Sequence, residues 1–164
     1  IDSDRKHLTS VLRAAADHKG TAFVEIYQNC PIYNDDAFLP VTEPSERDMR
    51  LIRLEDGEPI RFGPGGGEGL RFGTYGGLEA VPVDEADPGS LLVHDAGIED
   101  PAYAFAMSRL DSSDFAHTPI GVFRKVERSS YDELMAAQIE AARQRQGDGD
   151  LADLMAGSDT WQVS

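Results

Sequence analysis

The stretch TAFVEIYQNCPIYNDDAF, residues 21–38, decides how the rest of the chain is interpreted. Six of its first seven residues are β-branched, aromatic, or small and apolar, and only Glu25 breaks the run. Gly20 stands before the run and a polar cluster follows it. This composition predicts a largely buried strand over residues 21–27.

The residues before this stretch predict a helix. Over residues 3–19, Ser3 or Asp4 can cap the first turn, and Gly20 is a natural terminator. The apolar side chains recur at helical spacing, at Leu8, Val11, Leu12 and Ala15. A helix, a glycine stop and a buried strand together predict the closing half of a βαβ unit.

The only cysteine of the chain, Cys30, comes directly after the predicted strand. In open α/β sheets, cofactors bind beyond the carboxyl ends of the strands. Free cysteine is also among the most buried residue types. Two interpretations of Cys30 therefore stand at this point, a cofactor ligand at the sheet edge or a small packed residue of the core.

Composition excludes several classes of function. The 164 residues carry 30 acidic and 15 basic side chains, for a formal charge of −15, which disfavours nucleic acid and anionic membranes as partners. No apolar run is long enough to span a membrane. A single cysteine excludes an internal disulfide and fits a reducing cytoplasm. Because the chain opens on Ile1 rather than Met, we expect a fragment of a longer product.

The middle of the chain predicts short strands. Residues 49–54 and 59–62 flank a turn at residues 55–58, in which Gly57 supplies positive φ, and this pattern predicts a hairpin. Further short strands are expected at residues 70–72, 78–83, 91–95 and 119–125. The alternation predicts a buried face made of Leu51, Ile52, Leu54, Ile60 and Phe62.

Two sequence patterns of this region are similar to those of functional sites. The glycine-rich residues 63–69 match neither common phosphate-binding pattern, and no helix pattern follows them, so they predict a flexible loop. His94 precedes Asp95, but neighbouring residues of a strand point to opposite faces. We therefore expect His94 to be a packed histidine rather than half of an acid–base pair.

The carboxyl-terminal third predicts helices with clear caps. Asp100 and Pro101 open one helix, and Ser130 with Glu133 forms a capping box for another. Residues 147–150, GDGD, read as the end of one helix and the cap of the next, not as a magnesium site. Residues 151–156 predict a last helical turn, and Trp161 and Val163 are expected to dock as a terminal anchor.

Several of these segments resemble a known family. VEIYQNCPIYND, LIRLEDGEPIRFG, LLVHD, PIGVFRKVERSSYDELMAAQIEAA and DTWQV occur in the order found in β subunits of 2-oxoacid:ferredoxin oxidoreductases, especially the 2-oxoglutarate type. The resemblance implies an α/β fold. Residues 1–38 would end a thiamine-diphosphate-binding domain with a helix and a buried strand. Residues 39–145 would form a small α+β C-terminal domain, and residues 146–164 a tail.

The resemblance also implies a reaction and its cofactors. The family oxidatively decarboxylates a 2-oxoacid with coenzyme A, giving an acyl-CoA, carbon dioxide and reduced ferredoxin. Thiamine diphosphate, Mg²⁺ and a [4Fe–4S] cluster are its cofactors, and Cys30 matches the fourth cysteine ligand of that cluster. The other three cysteines, the GDG…N magnesium motif and the substrate-binding residues are missing here. We therefore expect no catalytic residue in this chain and no activity from it alone.

The implied partners are the rest of the β subunit, an α subunit, ferredoxin, the 2-oxoacid and CoA. Two alternatives stay open. The chain could be a non-catalytic interaction or scaffold domain with Cys30 in its core. It could also be a cysteine-dependent hydrolase, which would need His94 or His117 beside Cys30.

Overall fold

The computed structural model describes residues 1–74, 77–110, 114–161 and 163. The chain divides into two compact units. The larger contains residues 1–18 and 22–127, and the smaller contains residues 19–21 and 128–164.

Helices and short strands alternate irregularly along the larger unit, and the smaller unit is helical. The helices are α1 (Arg5–Asp17), α2 (Leu39–Thr42), α3 (Arg47–Arg50), α4 (Pro101–Ser108), α5 (Tyr131–Gln146) and α6 (Leu151–Ala156). The strands are β1 (Leu51–Leu54), β2 (Arg61–Phe62), β3 (Glu68–Phe72), β4 (Leu78–Pro82) and β5 (Thr118–Gly121). One 3₁₀ turn, Pro64–Gly66, precedes β3.

The larger unit contains two small sheets. Strands β1 and β5 pair in parallel, with Ile52 opposite Pro119, whereas β2, β3 and β4 form an antiparallel sheet in that order. The mixed α/β class expected from the sequence is therefore confirmed. Strand β4 lies at the edge of its sheet and ends at Pro82, as the missing N–H of that proline predicts.

Strand β1 separates two apolar clusters, because neighbouring residues of a strand point to opposite faces. On one face, Leu51 packs with Val41 and Ile120. The other face carries the larger cluster, whose members are all buried and comprise Ile52, Leu54, Ile60, Phe62, Leu70, Tyr103 and Met107. The five residues predicted to form one buried face are all buried, but Leu51 lies on the opposite face of β1, so the prediction of one buried and one wet face is wrong for this strand.

The predicted hairpin of residues 49–54 and 59–62 is wrong, although its turn exists. Gly57 has φ of 81°, and the N–H of Glu58 donates to the carbonyl of Glu55 at 3.1 Å. The two arms do not pair with each other, because β1 pairs with β5. The residues after the turn instead bond to the 92–94 segment, with the Ile60 N–H donating to the Leu92 carbonyl at 2.9 Å. Hydrogen bonds to residues 92–94, and the pairing of β1 with β5, replace the predicted pairing between the two arms.

The buried strand predicted over residues 21–27 is also wrong for this chain. Residues 21–26 have no regular secondary structure and join no β-ladder in the described part of the chain. Phe23 is 89% exposed and Ile26 is 39% exposed. A strand forms only against a neighbouring strand, and the described residues supply none here.

Helix boundaries follow the predicted caps. The Asp4 and Asp100 carboxylates accept from the backbone N–H groups of His7 and Ala102, and Pro101 opens α4. In the smaller unit, Ser130 and Glu133 form the predicted capping box at the start of α5. Each cap joins residues within one turn of helix, so the local sequence is sufficient to predict it.

Candidate functional site

Cys30 lies near the start of a surface loop, residues 28–37. Cys30 is half-buried and lies outside both apolar clusters of the described residues. The Cys30 carbonyl accepts from the N–H of Asn34 at 3.0 Å, which closes a tight turn after the cysteine. The backbone that carries the sulfur is therefore held in place by the loop itself.

Asn29 joins the two ends of this loop. Its side-chain N–H group donates to the Asp35 carboxylate at 2.9 Å, and its side-chain oxygen accepts from the Asp36 N–H, also at 2.9 Å. Asp36 adopts φ of 60°, a left-handed conformation that an Asp tolerates better than most residues. One amide side chain thus bridges across the segment that presents Cys30.

Three aromatic rings hold the base of the loop. Tyr27 and Phe38, the residues on either side of it, stack with ring centroids 4.9 Å apart. Phe115 meets both edge-on, at 6.1 Å from Tyr27 and 5.6 Å from Phe38. Aromatic residues at both ends of the loop are the sequence signal for the first pair. No nearby residue indicates the contact with Phe115, which is distant in sequence.

The loop supplies one soft ligand and no complete metal site. Among the described residues, no group of three or more His, Cys, Asp and Glu side chains is arranged to hold a metal ion. A [4Fe–4S] cluster needs about four thiolates. The donor chemistry of Cys30 fits one position of such a cluster, and the sequence contains no second cysteine.

His94 is a packed histidine, as predicted. It is 1% exposed, and its Nε2–H donates to the Val122 carbonyl at 2.9 Å. Because Nε2–H donates to a carbonyl, we assign Nδ1 as the acceptor from the Tyr103 hydroxyl at 2.8 Å. Burial raises the pKa of Tyr103, which keeps its hydroxyl proton available for this bond. The two hydrogen bonds of His94 therefore connect Tyr103 of α4 to the backbone at Val122.

The hydrolase alternative fails on the same geometry. Both ring nitrogens of His94 are engaged elsewhere, and His117 packs edge-on against Phe62 at 5.4 Å. No histidine of the described residues hydrogen-bonds Cys30. The base that a cysteine nucleophile requires is not beside it.

A small cleft lies between α1, residues 24–27 and β5. It measures about 150 Å³, and Leu8, Val11 and Val24 contribute to its apolar wall. Nδ1 of His7, which lines this cleft, has no hydrogen-bond partner, and burial is the main reason that the pKa of His7 is lowered. Pockets for drug-sized ligands measure roughly 300–1,000 Å³, so we assign no cofactor to this cleft.

The GDGD stretch is the helix junction that the sequence predicted. Gly147 ends α5 with φ of 77°, and the Asp150 carboxylate caps α6 by accepting from the Asp153 N–H at 3.1 Å. Every charged group of this junction faces solvent. Among the described helices, none is long and apolar enough to cross a membrane.

The chain is similar to subunits of known oxidoreductases. The chain is 44% identical, over 99% of its length, to "2-oxoglutarate oxidoreductase subunit KorB" of Mycobacterium tuberculosis. The resemblance read from the sequence is confirmed. A second relative, "2-oxoacid:ferredoxin oxidoreductase subunit beta" of a Sulfolobus species, is 33% identical over 60 residues, which are 35% of this chain and 18% of that protein.

These relatives are longer than this chain. The matched region is 44% of the length of the mycobacterial subunit. No protein-family profile matches the chain, and no solved structure matches it significantly. The chain therefore spans less than half the length of the mycobacterial relative that it matches.

Proposed function

We propose that this chain is the carboxyl-terminal part of the β subunit of a 2-oxoglutarate:ferredoxin oxidoreductase. The observation that carries the proposal is the 44% identity, over almost the whole chain, to a subunit named for 2-oxoglutarate. The enzyme would convert 2-oxoglutarate and CoA to succinyl-CoA and carbon dioxide, and two electrons would pass to ferredoxin. Its α subunit and the rest of the β subunit would complete the active site.

Within that enzyme, Cys30 is proposed to be one of four cysteine ligands of a [4Fe–4S] cluster. When bound, such a cluster passes electrons one at a time. The residues of this chain would hold the ligand: the Asn34 N–H fixes the Cys30 carbonyl, and Asn29 bridges the loop to Asp35 and Asp36. Cys30 is half-buried on a surface loop, a position that supports this proposal.

Thiamine diphosphate and Mg²⁺ are proposed to bind in the part of the subunit outside this chain. The only GDG sequence here is a solvent-exposed helix junction. On this view the isolated chain has no turnover, and its contribution is one cluster ligand together with the surfaces that join it to the rest of the enzyme.

Iron content tests the role of Cys30. In the intact enzyme, Cys30→Ala should leave the fold intact but reduce iron from about four atoms per β subunit and weaken the broad visible absorption. Cys30→Ser is the conservative variant and should retain a damaged cluster, since oxygen is a harder and poorer ligand for iron–sulfur chemistry. Full iron and normal ferredoxin reduction in Cys30→Ala would remove Cys30 from the cluster.

Substrate dependence tests the reaction itself. The intact enzyme should reduce ferredoxin with 2-oxoglutarate and CoA, and more slowly with pyruvate as the 2-oxoacid. Electron transfer that needs neither CoA nor any 2-oxoacid would overturn the proposal. The remaining alternative, a non-catalytic scaffold domain, predicts a purified protein with no such activity and no bound iron.

A further inference from the structure

Backbone strain is concentrated at the loop that carries Cys30. Among the described residues, two that are not glycine have a left-handed φ, Asp36 at 60° and Phe115 at 59°. Asp36 lies in the loop, and Phe115 packs against its base. Aspartate tolerates this conformation, but for a bulky aromatic residue it is an outlier. Strained residues persist only where the surrounding structure holds them, and they cluster at functional sites.

Two side chains outside the loop hold the backbone at Phe115. Arg50 Nη1–H donates to the carbonyl of Asp114 at 2.9 Å, and the Thr118 hydroxyl donates to the carbonyl of Phe115 at 3.2 Å. Thr118 begins β5, and Arg50 ends α3 directly before β1. Phe115 is therefore held in its strained conformation by residues at the start of the paired strands, and not by the Cys30 loop.

The Phe115 ring connects these strands to both ends of the loop. It meets Tyr27 and Phe38 edge-on, and all three rings pack on the apolar cluster that contains Leu51 of β1. Aromatic pairs prefer particular ring geometries, so one ring constrains the two ends of the loop together. Cys30 comes three residues after Tyr27. A shift of the loop base would therefore move the backbone that carries the sulfur.

We propose that Phe115 is a positioning residue for Cys30 as a ligand of the [4Fe–4S] cluster. Its ring fixes the base of the loop and thereby the place of the Cys30 thiolate. This inference rests on the proposed function, because it needs Cys30 to be a cluster ligand. Groups that orient a metal ligand typically contribute about 10–100-fold to metal affinity or activity. Hydrogen bonding and solvent exposure at the sulfurs also set the cluster potential.

Phe115→Gly tests this role in the intact oxidoreductase. Glycine adopts the left-handed conformation without strain, so the variant removes the ring and relaxes the backbone at the same time. Phe115→Tyr is the conservative variant, because it keeps a ring. Tyr103→Phe is the control for a general loss of stability, since it removes a buried hydrogen bond within the other apolar cluster.

Three properties of each protein are measured. They are the iron content, the rate at which a ferrous-iron chelator removes iron, and the midpoint potential of the cluster in a redox titration. Phe115→Gly should lose iron at least about tenfold faster than wild type. Its midpoint potential should shift by about 59 mV, which is a tenfold change in a one-electron equilibrium. Phe115→Tyr and Tyr103→Phe should keep the wild-type rate and potential.

Three results would overturn the positioning role. The first is a wild-type rate and potential in Phe115→Gly. The second is an equal change in Tyr103→Phe, because a general loss of stability would then explain the effect. The third is an equal change in Phe115→Tyr, because the ring would then not be what matters.

Arg50→Ala keeps the proposal testable if Phe115→Gly does not assemble. This variant removes the donor to the Asp114 carbonyl, whereas Glu46→Ala removes only the ion pair that Arg50 makes at 3.1 Å. Arg50→Ala should speed iron loss by more than about threefold, and Glu46→Ala should not. Equal rates for these two variants would overturn the proposal.

Cys30→Ala separates this inference from the proposed function. If Cys30→Ala loses the cluster and Phe115→Gly behaves as wild type, only the positioning role fails. If Cys30→Ala keeps its full iron content, the ligand role fails, and the positioning role fails with it.

Discussion

Residues 51–121 and residues 128–163 use their large apolar side chains in opposite ways. In the first region Ile52, Leu70 and Met107 have no exposed surface, whereas in the second Leu154 and Met155 are about 80% exposed. The helices of both regions begin at the caps that their local sequence predicts, whereas the hairpin predicted over residues 49–62 does not form. The difference teaches that caps and periodicity suffice to specify a helix, while burial depends on a partner surface. The first region contains its partners, and the second presents its apolar side chains outward.

The largest expected contrast compares two phenylalanines. Phe62 is 5% exposed within the larger core cluster, and Phe23 is 89% exposed. Phe62→Ala should lower the free energy of unfolding by about 3–5 kcal/mol, because it removes a buried ring and leaves a cavity. Phe23→Ala should change it by less than about 0.5 kcal/mol. Chemical denaturation of this chain measures both. Similar losses for the two variants would break the comparison.

A smaller contrast compares two tyrosines. Tyr103→Phe removes the hydroxyl that donates to His94 Nδ1 and leaves a buried acceptor without its bond, which should cost about 1–3 kcal/mol. Tyr131 begins α5 and is 79% exposed. Tyr131→Phe should therefore leave the free energy of unfolding almost unchanged. Thermal denaturation of the two variants beside wild type checks the difference, and a neutral Tyr103→Phe would mean that the His94 bond contributes nothing.

The smallest expected effect concerns Asp4 and pH. The His7 N–H bond, with help from Arg53 at 2.8 Å, lowers the pKa of Asp4 below its ordinary value of 3.8. A lowered folded pKa gives stability that is present above the ordinary value and is lost as pH falls through the folded one. Asp4→Asn keeps a capping side chain but loses this ionisation.

Unfolding of wild type and Asp4→Asn should therefore differ by a few tenths of a kcal/mol near neutral pH, and the difference should shrink below about pH 4. Titrating the free energy of unfolding from about pH 6 to about pH 3 measures it. A difference that stays constant over that range would show that Asp4 acts only as a neutral cap.

The sequence predicted what depends on neighbouring residues. The caps at Asp4, Asp100 and Ser130 are all present, because each joins atoms within one turn of helix. Alternation predicted the burial of Phe62 in β2, but β1 is buried on both faces, which alternation did not predict. The helix junction after Gly147 was predictable for the same reason.

Pairing between distant segments was not predictable in this way. The parallel pairing of β1 with β5 joins residues more than sixty positions apart, and no local pattern distinguishes it from a hairpin. At the candidate site, sequence resemblance pointed to Cys30. The Asn29 bridge and the position of Phe115 depend on the folded loop, so only the structure supplies them.

Residues 21–26 belong to the larger unit but, like residues 128–163, expose large apolar side chains. Their composition is that of a buried strand, yet in this chain they have no regular secondary structure and join no described ladder. We interpret them as a surface whose partner lies in the part of the proposed β subunit outside this chain. The strand prediction is wrong for the chain alone and stays a prediction for the intact subunit.

Amide hydrogen exchange across residues 21–26, measured in the assembled oxidoreductase, tests this account most directly. A strand paired with the rest of the β subunit should exchange as slowly as the core amides of β1, which are expected to require large-scale opening. Phe23 and Ile26 should become buried at the same time. Exchange as fast as that of a solvated loop would contradict the account, because these residues would then have no partner in the enzyme either.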